Sequence, residues 1–395
     1  MKIKILDSPM GSGKTTYLID YMNKNYQTKE FIYITPFLNE INRIRESVMF
    51  DLNDPKAIGG SKLTGLKNLV FKKKNIISTH ALFSRIDSDL IKLLQASNYT
   101  LLLDEVADVI EELNVSKQDI SILFQEQLIS VDDENGKVTW LDEDYVGEFS
   151  YLKELANQNS LFLINDVFMV WCLPIEIFNA FDEVIISTYQ FNYQLQCYYY
   201  QYFDVEFEYF HVENNELVKT VDDNFDKNFR EKAKKLITIC DNEKLNAIGD
   251  SQYALSKTWY SKASEYELKL LKRHLGNYRR KISSGDKFLW TTFKDYRSKL
   301  KDKGYAKSFI PLNSRATNDY GGRNVVMYCC NRFVVPYQKH FFAMRNIKLD
   351  EDGYALSEML QFIWRSAIRN GEPIEIYIPS KRMRELLIKY LNNEI

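Results

Sequence analysis

Asp7-Ser8-Pro9-Met10-Gly11-Ser12-Gly13-Lys14-Thr15-Thr16 is the stretch on which the reading of this chain turns. The run before it, Lys2-Ile3-Lys4-Ile5-Leu6, alternates and ends apolar, which predicts a short strand; residues 15–22 after it have the spacing of a helix with one buried face. A strand, a glycine-containing turn and a helix start are the context of a phosphate-binding loop. Gly11 and Gly13 let the backbone wrap close to a polyphosphate and turn its N–H groups inward at the helix N-terminus. In this reading Gly11, Ser12, Gly13, Lys14, Thr15 and Thr16 hold a nucleoside triphosphate, taken as ATP. Lys14 reaches its β- and γ-phosphates, and the Thr15 hydroxyl sits on Mg²⁺. Ser8 stands where the pattern G-x-x-x-x-G-K-[ST] opens with glycine, and it is small enough for that position. A chance Gly/Ser turn before a helix would explain the loop residues but not their flanks.

The chain has 395 residues, long for one core and suited to two domains of roughly 150–200 residues each. It is 45% hydrophobic and 14% aromatic, which supplies packed interiors and argues against disorder. The net charge of −2 sets up no global basic field, so any nucleic-acid site must be local. The five cysteines (Cys172, Cys197, Cys240, Cys329, Cys330) are odd in number and show no C-x-x-C spacing, and the four histidines are scattered. No zinc site is expected from them, and free thiols point to a reducing compartment. No apolar run approaches the ~20 residues of a membrane span. The N-terminus enters the first strand at once, which leaves no room for a signal peptide. A soluble, cytoplasmic protein is the expectation.

Four further apolar runs end in polar residues. Glu30-Phe31-Ile32-Tyr33-Ile34-Thr35 leads to Pro36, and Asn75-Ile76-Ile77-Ser78-Thr79-His80 opens a helix. Tyr99-Thr100-Leu101-Leu102-Leu103-Asp104-Glu105 closes on two carboxylates, and Asp182-Glu183-Val184-Ile185-Ile186-Ser187-Thr188-Tyr189 closes on hydroxyls. Strands alternating with helices predict a parallel, two-sided α/β sheet, in which ligands bind at the carboxyl ends of the strands. Asp104, beside the phosphate loop, is suited to hold Mg²⁺, and Glu105 to orient or deprotonate an attacking water. An acidic pair can also simply mark a strand exit, but here it accompanies a phosphate loop. Residues 109–165 are too long for one crossover and acidic, and read as a small insertion. It begins as a helix over 106–113 and contains a hairpin turn at Asp132-Asp133-Glu134-Asn135-Gly136-Lys137.

From 216 the chain starts again after an acidic, polar linker at 216–225. Leu236-Ile237-Thr238-Ile239-Cys240, Phe288-Leu289-Trp290-Thr291-Thr292-Phe293, Asn324-Val325-Val326-Met327-Tyr328-Cys329-Cys330 and Ile374-Glu375-Ile376-Tyr377-Ile378-Pro379 read as strands, and 357–369 as a helix. This is a second α/β unit without a phosphate loop of its own.

Gln361-Phe362-Ile363-Trp364-Arg365-Ser366-Ala367-Ile368-Arg369 resembles the sixth motif of superfamily 2 helicases, and Asn313-Ser314-Arg315-Ala316-Thr317 the fifth. Ser187-Thr188-Tyr189 resembles their third motif, Asp104-Glu105-Val106-Ala107 the second, Thr35-Pro36 motif Ia, and Thr79-His80-Ala81-Leu82 the Ib region. Order and spacing span nearly the whole chain, and the form is most similar to short, bacteriophage-type DEAD/DEAH-box-like helicases. The resemblance implies two tandem RecA-like domains, 1–215 (with the insertion) and 216–395. It further implies ATP and Mg²⁺ as cofactors and Lys14, Asp104 and Glu105 as catalytic groups, with either Arg365 or Arg369 as the finger that meets the γ-phosphate. Ser187, Thr188 and Gln361 become coupling residues. Thr35, Pro36, Thr79, Thr292, Asn313, Arg315 and Thr317 become contacts to a nucleic-acid strand, DNA favoured over RNA. Two departures stand out: Ala107 replaces the usual Asp or His of motif II, and motif VI carries one extra residue between its arginines.

Other features have plainer readings. Lys72-Lys73-Lys74 reads first as a solvated turn, and the aromatic-rich segment 193–210 first as core rather than as a base-stacking surface. Lys272-Arg273 and Arg279-Arg280-Lys281 fit a nucleic-acid or partner surface and a solvated helix equally well. The leading expectation is an ATP-dependent helicase or translocase of phage replication, recombination or repair, a monomer or small oligomer with a possible replication or recombination partner protein. The alternatives are a nucleotide-gated binding or loading protein that needs a partner, and a terminase-like packaging ATPase.

Overall fold

Strands form where the sequence runs apolar and β-branched, and strands buried on both faces pair in parallel. A computed structural model describes residues 2–36, 38–221, 224–280, 287–312 and 320–395. Two compact units emerge. One comprises Met1–Ser8, Ser12–Thr220 and Val335–Leu349; the other comprises Val221–Val334 and Asp350–Ile395 with the tripeptide Pro9–Gly11.

In chain order the described strands of the first unit are β1 (Lys2–Asp7), β2 (Glu30–Thr35), β3 (Ile76–Thr79), β4 (Tyr99–Asp104), β5 (Ile110–Glu112), β6 (Ile129–Val131), β7 (Val138–Trp140), β8 (Leu161–Ile164), β9 (Phe168–Cys172), β10 (Glu183–Thr188), β11 (Phe207–Glu213) and β12 (Glu216–Lys219). Seven of them make one sheet in the order β12-β11-β1-β10-β4-β2-β3, parallel except for the antiparallel edge strand β12. The helix Lys14–Asn25 buries Leu18, Ile19 and Met22 against this sheet, beside Leu6, Phe31, Tyr33 and Leu102. Each such side chain contributes about 1.5–3 kcal/mol on leaving water, so the loop before the helix is anchored at both ends.

Two expectations fail in this unit. The segment read as a polar linker from 216 instead forms β12, which returns on β11 through Asn214 and Asn215, both with positive φ. Such a two-residue asparagine turn suits a hairpin. The helix expected over 106–113 is absent: Ile110–Glu112 is β5, paired antiparallel with β9 so that Ile110 faces Cys172. A Val-Ile pair offered a partner strand takes the sheet, because cross-strand packing outweighs local preference.

The strands β5, β9 and β8 form a small antiparallel sheet, and β6 and β7 the hairpin expected around 132–137. Ile120, Leu123, Trp140, Leu152 and Leu163 give this region a core of its own. The helix Pro336–Ala343, from late in the chain, belongs to the same unit. Phe341 is fully buried, stacked on Tyr202 at 4.5 Å and edge-on to Phe162 at 5.4 Å. Tyr198, Tyr199, Tyr200 and Tyr202 are buried, so the aromatic-rich segment is core, and Lys72–Lys74 are exposed.

In the second unit β13 (Ile237–Ile239), β14 (Phe288–Thr291), β15 (Val325–Tyr328) and β16 (Ile374–Tyr377) form an all-parallel sheet in the order β13-β16-β15-β14. Leu268, Leu271, Leu275 and Tyr278 of the helix Glu265–Arg280 pack on Phe288, Trp290, Val325 and Met327. No helix among the described residues is long and apolar enough to cross a membrane.

Candidate functional site

Register alone gathers the polar strand ends of the first unit. Parallel pairing sets Asp7 opposite Thr188, Ser187 opposite Asp104, and Thr35 opposite Thr79. Residues far apart in sequence thus form one row along the carboxyl edge of the sheet, where α/β folds bind ligands.

The loop leaving β1 turns through Gly11 and Gly13, with φ of 83° and 88°. Both values lie in the left-handed region that glycine adopts without cost. Gly13 caps the helix without a side-chain bond, and the first helical hydrogen bond runs from the Tyr17 N–H to the Gly13 carbonyl at 2.9 Å. The earlier N–H groups of such a helix point out of its N-terminus, which suits an anion. Ser12 Oγ is buried without a hydrogen-bond partner. Lys14 Nζ donates to the Ser8 carbonyl at 2.5 Å.

Ser8 has a structural reason to differ from glycine. It is fully buried, its N–H donates to the Thr188 carbonyl at 3.1 Å, and its Oγ accepts from the Val212 N–H at 3.2 Å. Its neighbour Asp7 accepts from the N–H groups of Gln190 (2.7 Å) and Phe191 (2.9 Å). The phosphate-loop candidate and the segment after β10 are therefore tied together at their roots.

Asp104 closes β4. Tyr33, fully buried on β2, donates its hydroxyl to Asp104 Oδ2 at 3.1 Å, and His80 Nε2 donates to the Asp104 carbonyl at 3.0 Å. A carbonyl only accepts, so the His80 proton sits on Nε2. Desolvation pushes the Asp104 carboxyl up to about 6, and the adjacent Glu105 charge adds to this. The Tyr33 hydrogen bond and the Lys14 ammonium oppose it. Glu105 has φ of 74°, its N–H donates to the Ser187 carbonyl at 2.9 Å, and Thr188 Oγ1 donates to its Oε2 at 3.5 Å. Asp7, Tyr33 and His80 were not legible as site residues: they sit inside strands or at a helix start, where an apolar or structural role reads equally well.

Hard oxygen donors, the Thr15 hydroxyl and the Asp104 carboxylate, suit Mg²⁺ completed by phosphate oxygens. Among the described residues no group of three His, Cys, Asp or Glu side chains could hold a metal by itself.

The strand-contact candidates are placed unequally. Thr35 is fully buried with its Oγ1 unpartnered, while Pro36 and Thr79 are partly exposed. Thr292 is fully buried, and its hydroxyl donates to the Cys329 carbonyl at 3.2 Å. Asn313, Arg315 and Thr317 lie outside the described residues. The single helix expected over 357–369 ends early: it spans Glu351–Ile363, Trp364 caps it, and Ala367–Asn370 is a separate 3₁₀ turn. Residues 362–368 are all buried. The two arginines consequently differ. Arg365 is buried with its guanidinium 5.7 Å from the Phe362 ring centre, whereas Arg369 is exposed. Gln361 is partly exposed on the last turn of the helix.

Comparison with solved structures finds the same fold in XPD helicases. An XPD structure in the apo form superposes with a TM-score of 0.53 over 99% of this chain and 95% of that one, at 12% identity. An XPD helicase structure gives 0.50 at 11% identity over 99% and 95% of the two chains. S. tokodaii Xpd4 gives 0.50 at 11% identity over 100% and 94%. At that identity the likeness is one of fold. Residues 110–171 match the model of the YonV middle domain, and residues 231–391 that of the YonV C-terminal Rossmann-like domain. The SPbeta prophage-derived uncharacterized protein YonV of Bacillus subtilis (strain 168) is 41% identical over 410 residues, covering 100% of this chain and 99% of that protein. With a helicase fold and a relative that matches it from end to end, this chain belongs to the YonV family.

Proposed function

We propose that this chain is an ATP-dependent helicase or translocase that acts on nucleic acid, DNA in preference to RNA, in phage replication, recombination or repair. The observation that carries the reading is the row at the carboxyl edge of the first sheet. Strand register sets Asp104 and Ser187-Thr188 beside the end of β1, from which the loop carrying Gly13 and Lys14 leaves, and this supports the reading. The helicase fold and the prophage-derived relative support it.

In this reading residues 11–16 hold the triphosphate, and Thr15 and Asp104 hold Mg²⁺, which neutralises charge on the phosphates. Lys14 leaves the Ser8 carbonyl to meet the β- and γ-phosphates. Glu105 orients the attacking water, and Tyr33 fixes the rotamer of Asp104. Of the two candidate fingers this reading favours Arg369, since it is exposed and Arg365 is buried. Where arginine fingers are known they contribute ~10³–10⁵ in rate. Pro36 and Thr79, both partly exposed, would touch the strand through its phosphates, which positions it without reading sequence.

ATP hydrolysis by the purified protein, measured alone and with single-stranded DNA, duplex DNA and RNA, tests this. Stimulation by a polymer, lost in Lys14→Ala, is the expected result and names the track. Hydrolysis indifferent to all three refutes a motor on nucleic acid and favours gating by a protein partner.

A further inference from the structure

Motif II is held in an unusual backbone state by motif III and by two buried glutamines that no motif contains. Glu105, with φ of 74°, adopts a conformation that side chains other than glycine rarely take, and it persists only where the surroundings enforce it. The enforcing bonds come from β10 and from the start of the helix Leu195–Tyr202. The Ala107 N–H donates to Gln196 Oε1 at 2.9 Å, and Gln196 Nε2 donates to the Tyr200 hydroxyl at 3.0 Å. Gln194 Nε2 donates both to the Tyr189 carbonyl at 2.7 Å and to Thr188 Oγ1 at 2.9 Å. Both glutamines are buried, Gln194 at 5% exposure and Gln196 at 0%.

The direction of these bonds is determined. The Tyr189 carbonyl can only accept, so the amide group of Gln194 that faces it, and Thr188 with it, is the NH₂. The Thr188 oxygen therefore accepts, and its single proton is left for Glu105 Oε2, 3.5 Å away. We infer that Gln194 and Gln196 are positioning residues for motif II, Gln194 by coupling motif III to it and Gln196 by holding its backbone directly. Gln194 fixes which way the Thr188 hydroxyl points, and Gln196 holds the backbone of Ala107, whose own side chain has nothing to bond with. The inference rests on the hydrolase reading above, in which Glu105 serves the attacking water.

A double-mutant cycle on ATP hydrolysis separates the two. Gln194→Met keeps the side-chain length and removes both bonds; Thr188→Val removes the hydroxyl and keeps its shape. Each single change is expected to lower kcat about tenfold or more while the KM for ATP stays within about threefold, because the general-base step is affected and not nucleotide binding. The double variant should be no slower than Thr188→Val, since Gln194 acts through Thr188. Thermal melting of the same variants establishes that they fold. Independent losses that multiply, or Gln194→Met at the wild-type rate, overturn the coupling role and leave the hydrolase reading standing. Wild-type protein no faster than Lys14→Ala overturns both. For Gln196, hydrogen exchange without nucleotide gives a second readout. Gln196→Met should speed exchange in a peptide covering 104–109, and unchanged exchange there overturns its part.

Discussion

Tyr33→Phe removes one atom from the candidate site and tests how Asp104 is prepared for a metal. The lost hydroxyl donates to Asp104 Oδ2 at 3.1 Å from a fully buried ring, so no neighbour replaces it without a shift of the sheet. A hydrogen bond to a charged group is worth about 1.5–3 kcal/mol. At 1.36 kcal/mol per decade this converts to roughly 10- to 150-fold in the preference of the carboxyl for its ionised form. The sign follows from the chemistry. The Asp104 carboxyl stands at about 6, and the Tyr33 bond is among the contributions that lower it. Without the bond it rises further. Mg²⁺ needs the carboxylate, so at pH 7 the variant should require about two- to tenfold more Mg²⁺, and raising the pH should remove the difference. The assay is the rise in melting temperature given by Mg·ADP over ADP alone, as Mg²⁺ is titrated between pH 6 and 8.5, with Mg²⁺-dependent hydrolysis alongside. A Tyr33→Phe protein with the wild-type Mg²⁺ requirement and pH profile would refute the reasoning.

Glu183 predicts an acid-sensitive element of stability far from the site chemistry. Burial pushes its carboxyl up, but bonds from Lys29 Nζ (2.7 Å), Lys4 Nζ (2.7 Å) and the Tyr21 hydroxyl (2.5 Å) overcome this and hold it down at about 2. A carboxyl depressed from about 4.3 contributes stability that is complete above that pH and is lost as pH falls toward 2, at most about 3 kcal/mol, since Lys4 and Lys29 reach solvent. Urea unfolding of wild type and Glu183→Gln from pH 2 to 7 should show a gap that closes through that window; a gap constant with pH contradicts it. Phe341→Ala empties a fully buried site between Tyr202 and Phe162 and should cost about 3–5 kcal/mol in the first unit, with proteolytic cleavage appearing within Val335–Leu349. A loss under about 1 kcal/mol would mean that this helix does not hold the first unit together.

Where a function needs a short contiguous pattern, the residues declared it. The Gly11–Lys14 turn lies between a strand and a helix with the expected left-handed glycines, and the hairpin at 132–137 and the buried tyrosines at 198–202 lie where periodicity and turn chemistry place them. Where the outcome depended on a partner distant in sequence, local reading failed. β5 exists because β9 is beside it, and β12 because β11 is. The supporting residues of the site were invisible for the same reason. A tyrosine inside a strand and two glutamines at a helix start carry no signature until the fold brings Asp104 and Ala107 to them.

The sequence alone therefore determined the α/β class, the phosphate-loop candidate and the polar strand ends. Each depends on the spacing of a few neighbouring residues and on the two- and 3.6-residue periods of strand and helix. Only the tertiary structure decided which strands lie side by side, that Asp7, Thr188, Asp104 and Thr35 share one edge, and that Arg365 is buried while Arg369 is exposed. Register, burial and the direction of a hydrogen bond are properties of pairs of groups, and a linear chain does not state its pairs.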